Sequence, residues 1–96
     1  MRTTFFRDED FSLEYNEWNN IWFIHCEVSN WTKTSFKKGL SVFRAMHKEA
    51  LEKGITGLMT ITPNPKFCKL LAGEYVGNVV DQQSNQYEVY KWELIR

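Results

Sequence analysis

The residue pattern predicts an α+β fold: a mixed sheet of about five to six strands around a central parallel βαβ crossover, with one long and one short helix. Three observations carry this. Short β-branched and aromatic runs recur along the chain, one long run keeps helical spacing, and that run lies between two strand-like runs, the order that produces a parallel crossover. With 96 residues, 43% of them apolar and 16% aromatic, the chain has the size and the core-forming content of one domain over residues 1–96.

Residues 11–15 alternate apolar and polar, residues 16–20 read as a turn, and residues 21–28 form a second strand, so the two make a hairpin. In that second strand Trp22, Ile24, Cys26 and Val28 share one face, while Ile21, Phe23, His25 and Glu27 share the other. A strand apolar on both faces belongs in the middle of a sheet. Phe36, Leu40, Phe43 and Ala50 then recur at helical spacing, with Val42, Met46 and Leu51 widening the stripe, Thr34 or Ser35 as the expected cap and Lys53-Gly54 as the stop. Residues 55–62 read as a strand. Asn64 as cap and Pro65 at the first helical position open a short helix that runs to about Ala72 and stops at Gly73. Residues 75–80 and 86–95, separated by a turn, predict a closing hairpin.

Twelve basic residues balance twelve acidic ones, so the chain lacks the general field of a nucleic-acid or membrane-surface binder. Cys26 and Cys68 form neither a disulfide framework nor a zinc spacing and are expected to be reduced, buried thiols. The acidic start MRTTFFRDEDF does not fit a signal peptide, and no run of eighteen apolar residues occurs, so a cytoplasmic location is expected.

The stretches IWFIHCEV, SNWTKTSFKKG, LSVFRAMHKEALEKGIT, GLMTITPN and PKFCKLLAGEYVG follow the order of the second half of the GNAT acetyltransferase superfamily, which the chain resembles over roughly residues 13–94. The resemblance implies an acetyl-CoA site where backbone amides at the start of the long helix grip the pyrophosphate. It places Thr34, Lys37 and Gly39 at the three motif positions, with Val28, Lys33, Ser35, Lys38 and Asn64 as further cofactor-side candidates. Only Gly39 fits the family pattern of glycines, and the family's tyrosine acid falls at Leu71. The resemblance therefore implies a degraded acetyl-CoA motif, with no cofactor expected, or acetyl-CoA if the protein is active.

Glu27 and His25 point the same way on their strand, the geometry of a general base and its orienting partner, and are the catalytic candidates. The plainer reading is a hydrogen-bonded pair on the less buried sheet face. Lys33, Lys37 and Lys38 gather at a helix start, against the helix dipole, and are read as an anion site or as solvated surface. His47 on the apolar stripe and Cys68 are read as packing residues. The expected role is the binding of a protein partner or of further copies of the chain. A small-molecule anion is the other candidate ligand; a nucleotide or single-stranded nucleic acid held by Lys33, Lys37, Lys38 and nearby Trp31 is a weaker one, and no membrane is implied. The small size and degenerate motifs resemble those of short GNAT-fold proteins encoded by bacteriophages, which would place the protein in a host cytoplasm.

Overall fold

The computed structural model describes residues 2–30, 32–63 and 66–94. The elements in chain order are β1 (Thr3–Arg7), β2 (Phe11–Trp18), β3 (Ile21–Val28), α1 (Lys33–Glu52), β4 (Gly57–Thr62), α2 (Lys66–Leu70), β5 (Glu74–Val80) and β6 (Gln86–Glu93). They form one six-stranded sheet in the order β1-β2-β3-β4-β6-β5. β3 and β4 are parallel neighbours joined through α1, as the strand–helix–strand pattern predicts, and every other pairing is antiparallel.

Several boundaries differ from the sequence-based expectation. β1 was not expected; its Thr-Thr-Phe-Phe run is β-prone but too short to show a period. The first long hairpin turns on two residues only, Asn19 and Asn20, both at positive φ (55° and 64°), so residues 16–18 extend the strand. Asparagine tolerates that left-handed backbone, which matches the twist of the flanking strands. α1 starts at Lys33 and is capped by Thr32, so Thr34 and Ser35 lie inside it rather than capping it. Its C-terminus does stop at Gly54, which sits at φ 80°. Ile55 is a buried plug ahead of β4, outside the strand. The short helix ends at Leu70, and the left-handed residue after it is Ala72 (φ 60°), not Gly73. Gly73 is required for space, because a Cβ there would lie 2.9 Å from Cζ2 of Trp92. The expected cap Asn64 and first-turn Pro65 lie outside the described residues.

Both helices pack on one sheet face. The α1 stripe Ser35, Gly39, Phe43, Met46 and Ala50 is buried, and Phe43, Met46 and Ala50 join Trp22, Ile24, Leu58 and Trp92 from the sheet and Cys68 from α2 in a single core. The stripe departs from the expected one at its start: Ser35 and Gly39 are the buried positions there, while Phe36 and Leu40 flank them, half-buried. His47 is half-buried beside the stripe, as a packing residue would be.

The parallel pairing is short. It runs from Ile21↔Gly57 to Ile24↔Thr60. Beyond that point β3 stays paired to β2 as far as Val28↔Phe11, and β4 to β6 as far as Thr62↔Glu88. Each strand keeps its outer partner while the inner edges part, which opens a notch at the C-terminal ends of the two central strands. At the vertex the Thr60 hydroxyl donates to the Ile24 carbonyl at 2.9 Å, satisfying an acceptor where the ladder stops.

Candidate functional site

The notch is the mouth of a cleft of about 660 Å³ between the sheet and the two helices. Ile24, Cys26 and Val28 supply one wall and Thr60, Ile61 and Thr62 the other, with Phe36 and Phe67 across the helix side and Trp92 at the base. Crevices at the carboxyl ends of parallel strands are a recurring ligand position in α/β sheets. The lining is chiefly apolar. Trp92 is fixed by its Nε1–H, which donates to the Leu71 carbonyl at 2.9 Å.

Cys26 and Cys68 both face this cleft. Cys68 is buried as expected, but Cys26 is exposed, because the notch uncovers the end of β3. Crowding by the cleft walls still pushes the Cys26 thiol up to about 11, with Glu27 adding to the shift. Burial, then the neighbouring Cys26 and Glu88, pushes Cys68 to about 11 as well. Neither thiol is a ready nucleophile at neutral pH.

The start of α1 is closed by its own side chains. The Ser35 amide donates to Thr32 Oγ1 at 3.0 Å and the Thr32 amide donates to Ser35 Oγ at 2.7 Å, a reciprocal capping box. Ser35 is consequently buried and used by the cap. Lys37 and Gly39 do not form a loop at the helix start: Lys33 opens the helix and both lie beyond its first turn. Gly39 is buried under Phe67, whose Cζ would lie 3.3 Å from an added Cβ. Its lack of a side chain lets α2 approach α1, so glycine at this position serves helix packing.

The three lysines have separate environments. Lys38 is paired with both Asp8 and Asp10, the latter at 3.1 Å. Asp8 also accepts the amides of Asp10 (2.9 Å) and Phe11 (3.1 Å), so this cluster fastens the β1–β2 turn to α1. The Lys38 hydrogen bond, then the Phe11 amide, holds the Asp8 carboxyl below its ordinary value, and the two aspartates raise Lys38 in turn. Lys33 and Lys37, one helical turn apart, are exposed, as is Thr34.

His25 and Glu27 project from the opposite face of the sheet, where no helix lies among the described residues. The orienting partner of His25 is Asn16 on β2, at 2.6 Å from Nε2, rather than Glu27. Burial and then Arg2 lower the imidazole pKa, with Glu14 opposing them. Glu27 is exposed. Val28 lines the cleft; Asn64 and Trp31 lie outside the described residues. Among the described residues there is no metal-ligating cluster of His, Cys, Asp and Glu, and no helix long and apolar enough to cross a membrane.

The sequence reading missed the aromatic pair that narrows the cleft, Phe36 and Phe67, whose rings meet edge to face at 5.9 Å. Their helical spacing was visible; their meeting was not. The acids Asp8 and Asp10 were noticed only as charges.

No family model and no curated protein sequence matches the chain. Solved structures do share its architecture. The crystal structure of aminoglycoside 6'-acetyltransferase type Ii superposes with a TM-score of 0.77 at 14% identity, over 94% of this chain and 66% of that one. A second protein, from Agrobacterium tumefaciens and described as an acetyltransferase, gives 0.67 at 12% identity over 97% of this chain and 73% of its own. This chain has the GNAT fold. It spans just under two thirds of the aminoglycoside enzyme, and at these identities the likeness is one of fold.

Proposed function

We propose that this GNAT-fold chain works by binding a protein partner, which presents apolar side chains to the cleft, rather than by ordinary acetyl transfer. The observation that carries the reading is the Thr32–Ser35 cap. An acetyl-CoA pyrophosphate needs the amides of that helix start, and here one of them is already bonded to a hydroxyl. The side chains around it fit the group poorly: Gly39 is filled over by Phe67 and Lys38 is committed to Asp8 and Asp10. Calorimetric titration with CoA and acetyl-CoA tests this. Binding weaker than micromolar is expected; micromolar or tighter binding, about 8 kcal/mol of favourable free energy, would overturn the reading.

A second reading, an acetyl-CoA-dependent N-acyltransferase, draws support from the notch. An extended thioester arm could lie between the parted strands, with His25 and Glu27 on the far face as candidate bases. Measured transfer of the acetyl group to an added amine, abolished by Glu27→Gln, would establish it in place of the first. The nucleotide or single-strand reading keeps only Lys33 and Lys37 as support, and salt-sensitive retention on polyanions is its test.

A further inference from the structure

We propose that β5 is the surface through which two copies of this chain pair, strand against strand, into one continuous sheet. β5 ends the sheet order: one edge is bonded to β6 and the other meets no strand among the described residues. An edge of this kind presents a row of backbone donors and acceptors to any strand that can align with it, and monomeric proteins usually blunt such rows with charge, proline or a β-bulge. β5 carries no such charge or proline, and its one irregularity, between Tyr75 and Gly77, lies near its start and leaves Gly77 to Val80 in regular register. From Tyr75 to Val80 there is no charged residue and no proline, and the one acid, Glu74 at its start, is within 3.7 Å of Lys91 on the inner neighbour. The opposite edge, β1, is bounded by Arg2 and Arg7 and begins with two threonines.

The side chains point the same way. Of the seven large apolar residues exposed among the described residues, four belong to this strand: Tyr75 (52%), Val76 (51%), Val79 (40%) and Val80 (60%). Register places Tyr75 and Val80 on the helix-bearing face and Val79 on the other. A partner strand laid along the edge would therefore cover apolar area on both faces at once, which a partner docked on one face could not.

A second copy is the occupant these features select. Antiparallel pairing about a two-fold axis at Asn78 sets Gly77 opposite Val79 of the other copy and brings no charges into opposition between Tyr75 and Val80. Such an isologous contact closes at two copies, and the chemically different β1 edge does not extend it. The edge is also held ready. The Asp81 carboxylate accepts the amides of Gln83 (2.8 Å) and Asn85 (2.9 Å) and the Tyr87 hydroxyl (3.1 Å), which fixes the β5–β6 turn and reduces the ordering needed on pairing.

Light scattering on the eluting full chain tests the proposal, alongside Val79→Lys/Val80→Lys and, at the exposed end of β2 away from the cleft, Trp18→Lys. The parent should show twice its 11.4 kDa mass, the β5 double variant half the parent value, and Trp18→Lys the parent value. A monomeric parent, a β5 variant that remains dimeric, or dissociation by Trp18→Lys alone would overturn it. Should the double variant not fold, hydrogen exchange on the parent decides the matter. Outward β5 amides that become protected as protein concentration rises support pairing, and amides that exchange at a concentration-independent rate exclude it.

Discussion

Phe67 of α2 lies directly over Gly39 of α1, so the glycine that the resemblance to the GNAT pattern places at the phosphate turn is covered by a ring. An alanine there would gain up to about 1 kcal/mol of helix propensity but would press on the ring edge at 3.3 Å. A β-branched residue has no such compensation. Gly39→Val should destabilise the fold by about 1–3 kcal/mol, in the range of overpacked interiors, measured by urea denaturation. An unchanged midpoint would mean that α2 can move away, and the packing role of Gly39 would fall.

The cap gives a second prediction. Thr32→Ala should lower stability by about 1 kcal/mol, as loss of an N-cap hydroxyl usually does, whereas Thr34→Ala, an exposed first-turn change, should stay within about 0.5 kcal/mol. Equal effects would remove the distinction between the two threonines.

Lys38 provides a pH signature. Because the folded state holds the Asp8 carboxyl below its ordinary 3.8, the contribution of that pair is complete above about pH 3.8 and is lost as pH falls through the lower folded value. Lys38 is raised above 10.5, so its own contribution is complete below that value and is lost as pH rises through the higher one. The difference in melting temperature between parent and Lys38→Gln should therefore be largest between these limits and shrink in acid and in strong alkali. A difference that stays constant from pH 7 to pH 2 would show that the ion pair does not contribute. The fold-neutral way to probe an anion site is Lys33 with Lys37, since replacing Lys38 also unfastens the β1–β2 turn.

Cys26 is open to reagents yet protonated. With its thiol pushed to about 11 from an ordinary 9.0, alkylation by iodoacetamide at pH 8 should run about a hundredfold slower than for an ordinary thiol of similar access and keep rising to near pH 11. Mass mapping should find Cys26 modified before the buried Cys68. A rate that levels off near pH 9 would mean that the cleft walls do not crowd the sulfur, and a ligand in the cleft should slow the reaction at every pH.

The same residues separate what was legible in the sequence from what was not. Period-two alternation put Cys26 and His25 on opposite sides of one strand, and the structure keeps them so, Cys26 in the cleft and His25 on the open face. The orienting partner of His25 was not legible. Asn16 stands nine residues earlier, and it meets His25's face only because Asn19 and Asn20 turn the hairpin on two residues. Lys38 looked like one of three equivalent lysines, and its partner Asp8 is thirty residues away.

By itself, then, the sequence determined the mixed sheet, the parallel crossover through one long helix, the short second helix and the closing hairpin. Each rests on steric and burial preferences that act within a few residues and repeat along the chain. Only the tertiary structure decided that the central strands part after Ile24 and Thr60, that Phe67 fills the space at Gly39, that Thr32 and Ser35 close the helix start, and that β5 is left as an edge strand, uncharged from Tyr75 to Val80. Those depend on which elements are brought side by side, and local preference carries no information about a neighbour that arrives from thirty residues away.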